Sequence, residues 1–113
     1  MDDIVNKPWG TYQNLLDSKE CKVKKLVIYP EQRPSYQYHF KRTEVWIVVK
    51  GTGIVTIDDI EQSVGPQSII TVPVMSNHRI QNTGEGNLIF VEVQLGSYFG
   101  EDDIVRVSDD YGR

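Results

Sequence analysis

The feature that most constrains this chain is its rhythm. Short runs rich in β-branched and aromatic residues recur at intervals of roughly 8 to 12 residues, separated by Gly, Pro, Asn or Asp, which is the pattern of an all-β sandwich or barrel. The runs are Lys22–Tyr29, Ser35–His39, Glu44–Lys50, Ile54–Ile57, Ile60–Val64, Ser68–Val72, His78–Asn82 and Leu88–Leu95. Pro30 to Pro34 ends the first run, Gly51-Thr52-Gly53 turns the chain after the third, and Asp58-Asp59 makes the tight connection of a hairpin. No stretch carries a helical period. At 113 residues the chain predicts one domain over 1–113, with 1–20 an N-terminal arm and 96–113 a C-terminal loop segment holding one short helical turn.

The formal net charge of -4 argues against nucleic acid or an anionic membrane surface as partner, since both reward a basic face. A small anionic substrate stays compatible with it if a few Lys and Arg converge. The single cysteine, Cys21, excludes an intramolecular disulfide and a multi-thiolate zinc site, and reads as a small half-buried residue. No apolar run approaches the roughly 20 residues that span a bilayer. The start Met1-Asp2-Asp3-Ile4 lacks the basic-then-apolar order of a signal peptide, so a soluble cytoplasmic protein is the expectation.

Only two histidines are present, His39 and His78. Gln37 and His39 are two apart and share a face of a strand, Glu44 follows after a short turn, and His78 must arrive from a distant strand. Four convergent N and O donors of this kind suit zinc, manganese, iron or nickel better than calcium. The expectation is a metal centre of Gln37, His39, Glu44 and His78, weighed against a hydrogen-bonded polar cluster without an ion.

These residues also resemble a family. Gln37-x-His39, Glu44 and Gly51 are similar to the first motif of the cupins, with Gln for the usual first His. Pro73-x-Met75-x-x-His78-x-x-x-Asn82 resembles the second. Lys7-Pro8-Trp9-Gly10-x-Tyr12, with Gly96 to Arg106 and the ending Asp110-Tyr111-Gly112-Arg113, narrows the resemblance to the type II mannose-6-phosphate isomerase domain. In that family the domain is commonly the carboxy-terminal part of a bifunctional mannose-1-phosphate guanylyltransferase.

The resemblance implies a cupin barrel (a double-stranded, jelly-roll-like β-helix) that binds a divalent metal and acts on a phosphorylated sugar. Zinc is the first choice, with manganese, cobalt, nickel or iron admissible. Guanylyl transfer is not expected of these residues, which contain no Gly-rich phosphate loop opening a helix. Two departures stand out: His39-Phe40-Lys41 where the family often has three histidines, and Met75 where it has glycine.

The implied reaction interconverts mannose 6-phosphate and fructose 6-phosphate by moving a proton between C1 and C2, and it needs a base and an electrophile. Strand parity puts Leu88, Phe90, Glu92 and Gln94 on one face and Ile89, Val91, Val93 and Leu95 on the other, which makes Glu92 the candidate base. Lys24 is the candidate phosphate contact, whereas Lys22 reads as a snorkelling surface lysine. Arg106 is a candidate for phosphate or enediolate, against an ion pair with Asp102 or Asp103. Lys41, Arg42 and Arg79 read as solvated charges flanking the motifs, Trp46 as a cavity wall, and Tyr36 and Tyr38 as packed outside. A homodimer is expected, with Val91 and Val93 at the contact. The alternatives are a non-catalytic metal- or sugar-binding cupin, or one acting on another sugar phosphate or a nucleotide sugar.

Overall fold

The computed structural model describes residues 3–112. Eleven strands follow in order: β1 (Val5–Lys7), β2 (Gly10–Asp17), β3 (Cys21–Ile28), β4 (Tyr36–Tyr38), β5 (Arg42–Lys50), β6 (Gly53–Ile57), β7 (Ile60–Val64), β8 (Ile69–Val72), β9 (His78–Asn82), β10 (Leu88–Gly96) and β11 (Val105–Ser108). They form two antiparallel sheets, β1-β2-β3-β10-β5-β8 and β11-β4-β9-β6-β7. There is no helix among the described residues, and none long and apolar enough to cross a membrane.

Alternation decides which side of each strand turns inward. Along β10 the burial alternates, with Leu88, Phe90, Glu92 and Gln94 buried and Ile89, Val91 and Val93 half-buried. Its neighbours β3 and β5 keep the same phase, because Phe90 stands opposite Leu26 and Val48, and Glu92 opposite Lys24 and Trp46. The apolar part of the inner face packs with Val55, Val64 and Ile80 of the other sheet into one core. Asp58 and Asp59 both have positive φ (47° and 67°), as a two-residue hairpin between β6 and β7 requires. Gly51, at φ 92°, turns β5 into β6 where an added Cβ would lie 2.7 Å from the carbonyl oxygen of Asn87.

Three expectations change. Most of the predicted arm is the edge of the six-stranded sheet, where β1 pairs with β2 and β2 with β3. The alternation there is broken by an irregularity between Asn14 and Leu16, so no period of two is visible in the sequence. The expected helical turn near residue 101 is a non-helical turn, and after it β11 pairs with β4, placing Arg106 opposite Gln37.

Candidate metal centre

One end of the space between the sheets stays open as a cavity of about 150 Å³. Gln37, His39, Glu44, His78, Glu92, Lys24 and Arg106 all line it, together with Trp46. Gln37 of β4 stands opposite His78 of β9, which brings the two histidine motifs, far apart in sequence, to one place. His39 follows the end of β4, and Glu44 reaches the same point from β5 in the other sheet.

One donor atom each from His39, Glu44 and His78 falls within 4.8 Å of the others, and all three residues are buried. His39 Nδ1 donates to the carbonyl oxygen of Asp103 at 2.6 Å, and His78 Nδ1 to that of Ser76 at 2.9 Å. A carbonyl oxygen only accepts, so each ring carries its proton on Nδ1 and turns a bare Nε2 lone pair toward the cluster. Those lone pairs face Glu44, with His39 Nε2 3.3 Å from Oε2 and His78 Nε2 3.9 Å from Oε1. Burial, then the nearby Arg42 guanidinium, pushes the His39 imidazole down to about 4, and burial also pulls His78 below its ordinary value. Neutral imidazoles and a carboxylate, with their acceptor atoms converging, are the donor set that a divalent cation needs. Gln37 gives its amide nitrogen to the Ser35 carbonyl at 3.4 Å, which leaves its oxygen available to a ligand.

Glu44 is held on both sides. Trp46 Nε1 donates to Oε1 at 3.0 Å and Arg42 Nε to Oε2 at 2.8 Å. Beside it, Glu92 accepts from the Gln94 amide at 2.7 Å. Burial, and then the neighbouring Glu44 carboxylate, pushes the Glu92 carboxyl up to about 7.

The basic residues are distributed differently from the expectation. Arg42 is buried and lines the cavity, with Nη2 donating to His39 Nε2 at 3.3 Å. It lies two residues before Glu44 and so shares its face, a signal that the reading of Arg42 as a solvated charge overlooked. Lys22 is also buried: its Nζ lies 3.4 Å from both Glu101 Oε1 and the Phe99 carbonyl oxygen. Lys24, buried as well, forms an ion pair with Glu101 and lies 4.3 Å from the centre of the Tyr12 ring. Burial opposes ionisation of Glu101, but Lys24, Lys22 and Arg42 together hold its carboxyl below the usual range. Arg79 is half-buried rather than solvated and reaches the cavity wall.

Among the described residues, exposed Arg106 forms no ion pair with Asp102 or Asp103. Asp102 accepts from the Tyr98 hydroxyl at 2.5 Å, and Asp103 from the backbone amides of Phe40 and Lys41. Phe40 and Lys41, at the positions of the family's extra histidines, are exposed and do not line the cavity. Met75 has a left-handed φ of 69°, which accounts for a glycine being suited to that position. Sequence reasoning also missed Ser35, which is buried in the cavity wall with its hydroxyl oxygen unpartnered.

A model of the family described as mannose-6-phosphate isomerase C-terminal matches residues 1–109. The alginate biosynthesis protein AlgA of Pseudomonas aeruginosa is 43% identical over 109 residues, covering 96% of this chain and 23% of that protein. A mannose-1-phosphate guanylyltransferase of Escherichia coli is 39% identical with the same coverage of each. The chain therefore spans less than a quarter of the length of these curated relatives. Among solved structures, a conserved protein with a double-stranded beta-helix domain from Klebsiella pneumoniae superposes with a TM-score of 0.79 at 17% identity, covering 90% of this chain and 87% of that one. That likeness fixes the fold as the double-stranded β-helix of the cupins.

Proposed function

The chain belongs to the mannose-6-phosphate isomerase C-terminal family, and from that premise we propose that it interconverts mannose 6-phosphate and fructose 6-phosphate at the cavity around His39, Glu44 and His78. The observation that carries the reading is the Glu92 carboxyl. It is buried, lines the same cavity as the histidine cluster, and is held through one oxygen by Gln94. A carboxyl so held is placed to take a proton and to return it, as moving one between C1 and C2 requires. Gln37, His39, Glu44 and His78 are the ligands assigned to a divalent ion, zinc first, which when bound polarises the sugar oxygens.

Arg106 is the first anchor for the phosphate, because no acidic side chain among the described residues occupies its guanidinium. Lys24 is the second, and a phosphate reaching it displaces Glu101. Trp46 and Ile80 form part of the apolar wall of the cavity. A second copy of this chain is the partner assigned to the apolar outer face of the six-stranded sheet, which sedimentation of an Ile47→Asp variant tests.

The deciding experiment measures fructose 6-phosphate formed from mannose 6-phosphate by protein loaded with zinc, manganese, cobalt or nickel, beside chelated protein and His39→Ala. Metal-dependent turnover lost in both controls is expected. Protein that binds one ion per chain and turns over nothing would leave a binding cupin or another sugar substrate.

A further inference from the structure

Arg42 occupies a position that the isomerase reading does not need. Its guanidinium is buried and makes three contacts: Nε to Glu44 Oε2 at 2.8 Å, Nη2 to His39 Nε2 at 3.3 Å, and Nη1 to the Gly100 carbonyl oxygen at 3.5 Å. One of those acceptors, His39 Nε2, is the atom through which the ring would hold a metal, and another, Glu44 Oε2, is one of the two carboxylate oxygens that face the histidines. The Nδ1 proton of His39 is committed to Asp103, so the Nε2 lone pair that receives the Arg42 hydrogen bond is the only one the ring can offer an ion.

We propose that Arg42 is a built-in cation that competes with the metal for His39 and Glu44 and so lowers the metal affinity of the site. The inference rests on the metal reading and extends it, assigning this residue the role of setting how readily the ion enters and leaves. Guanidinium and metal cannot share the His39 lone pair, so binding the ion costs that hydrogen bond. It also places a divalent charge beside a buried positive one, where screening by water is weak. The Gly100 carbonyl offers the displaced arm a place to settle. It belongs to the segment whose Asp103 carbonyl orients His39, so metal occupancy is coupled to the position of residues 100–103.

The test is zinc titration of metal-free protein by competition with a chromophoric chelator, comparing wild type with Arg42→Gln, Arg42→Met and Arg42→Lys. The glutamine keeps a donor for Glu44 without the charge, so it separates competition by charge from simple positioning of Glu44. Zinc binding at least tenfold tighter in Arg42→Gln and Arg42→Met, with Arg42→Lys near wild type, is the expected result. Wild type that binds zinc while both neutral variants bind it equally or more weakly overturns the inference and leaves the metal reading intact. Zinc binding by none of the proteins overturns both.

A measurement on the unaltered chain guards against variants that fail to fold. In a crystal structure of the zinc-loaded wild type, Arg42 Nη2 is expected beyond hydrogen-bond distance of His39 Nε2. An ion held while that bond persists would sink the proposal.

Discussion

The two faces of the six-stranded sheet depart in part from the usual division in which charge faces out and apolar groups face in. On β10 the inner face runs Leu88, Phe90, Glu92, Gln94, and the outer face Ile89, Val91, Val93, Leu95. The same division crosses the neighbouring strands: Lys22 and Lys24 face inward with Leu26 and Ile28, and Arg42 and Glu44 with Trp46 and Val48. The inner face is thus split along its length into an apolar floor and a polar mouth. The floor holds the barrel together. The mouth contains buried charges that persist because each has a partner: Lys22 and Lys24 with Glu101, Arg42 with Glu44, and Glu92 with Gln94.

If floor and mouth divide stability from chemistry, a cut in the floor should be the most damaging change of all. Phe90 is almost fully buried, stands between Leu26 and Val48, and has its ring centre 5.2 Å from that of Trp46. Phe90→Ala is expected to cost about 3–5 kcal/mol, a large part of the roughly 5–15 kcal/mol that a domain has. Urea denaturation checks it. A loss below about 1 kcal/mol would show that the floor is not where the barrel's stability lies.

The converse change two residues further along the same strand should leave the barrel intact and remove the chemistry. Glu92→Gln keeps an acceptor for the Gln94 amide and relieves the crowding of two buried carboxyls, so stability should stay within about 1 kcal/mol of wild type. Turnover of mannose 6-phosphate should fall by roughly 10²–10⁴-fold, the usual contribution of a positioned base. Full activity in this variant would place the base elsewhere in the cavity.

Much of this division was legible in the sequence, because it depends on parity. The pairs Gln37 and His39, and Phe90 and Glu92, needed only a strand's period of two. The hairpin at Asp58-Asp59 needed only turn chemistry. The rest depended on contacts between distant segments. Nothing in Glu101 announces that it neutralises Lys22 and Lys24, some 79 and 77 positions away, so Lys22 looked like a surface lysine. The edge strand β2 is irregular, and β11 is only four residues long with three of them exposed, so neither repeats long enough to be read. Arg42 is different, since its spacing from Glu44 was visible and was outweighed by the general tendency of flanking charges to be solvated.

The smallest of the three effects concerns the outer face. Val91 stands opposite Ile47, and Ile47 opposite Ile69, forming a row across three strands in which Ile47 is 40% and Ile69 66% exposed. An apolar row of this kind on an outer face is stable in water when another surface covers it, and closed two-fold pairing lets one patch cover its own copy. Ile47→Asp adds a charge at the centre of that row without touching the inner face. It should weaken self-association at least tenfold by sedimentation equilibrium, while the unfolding of the monomer shifts by less than about 1 kcal/mol. A wild-type chain that sediments as a monomer at high concentration would remove the second copy from this face. The apolar row would then be a property of the sheet alone, and the contrast between the two faces would reduce to the division within the inner one.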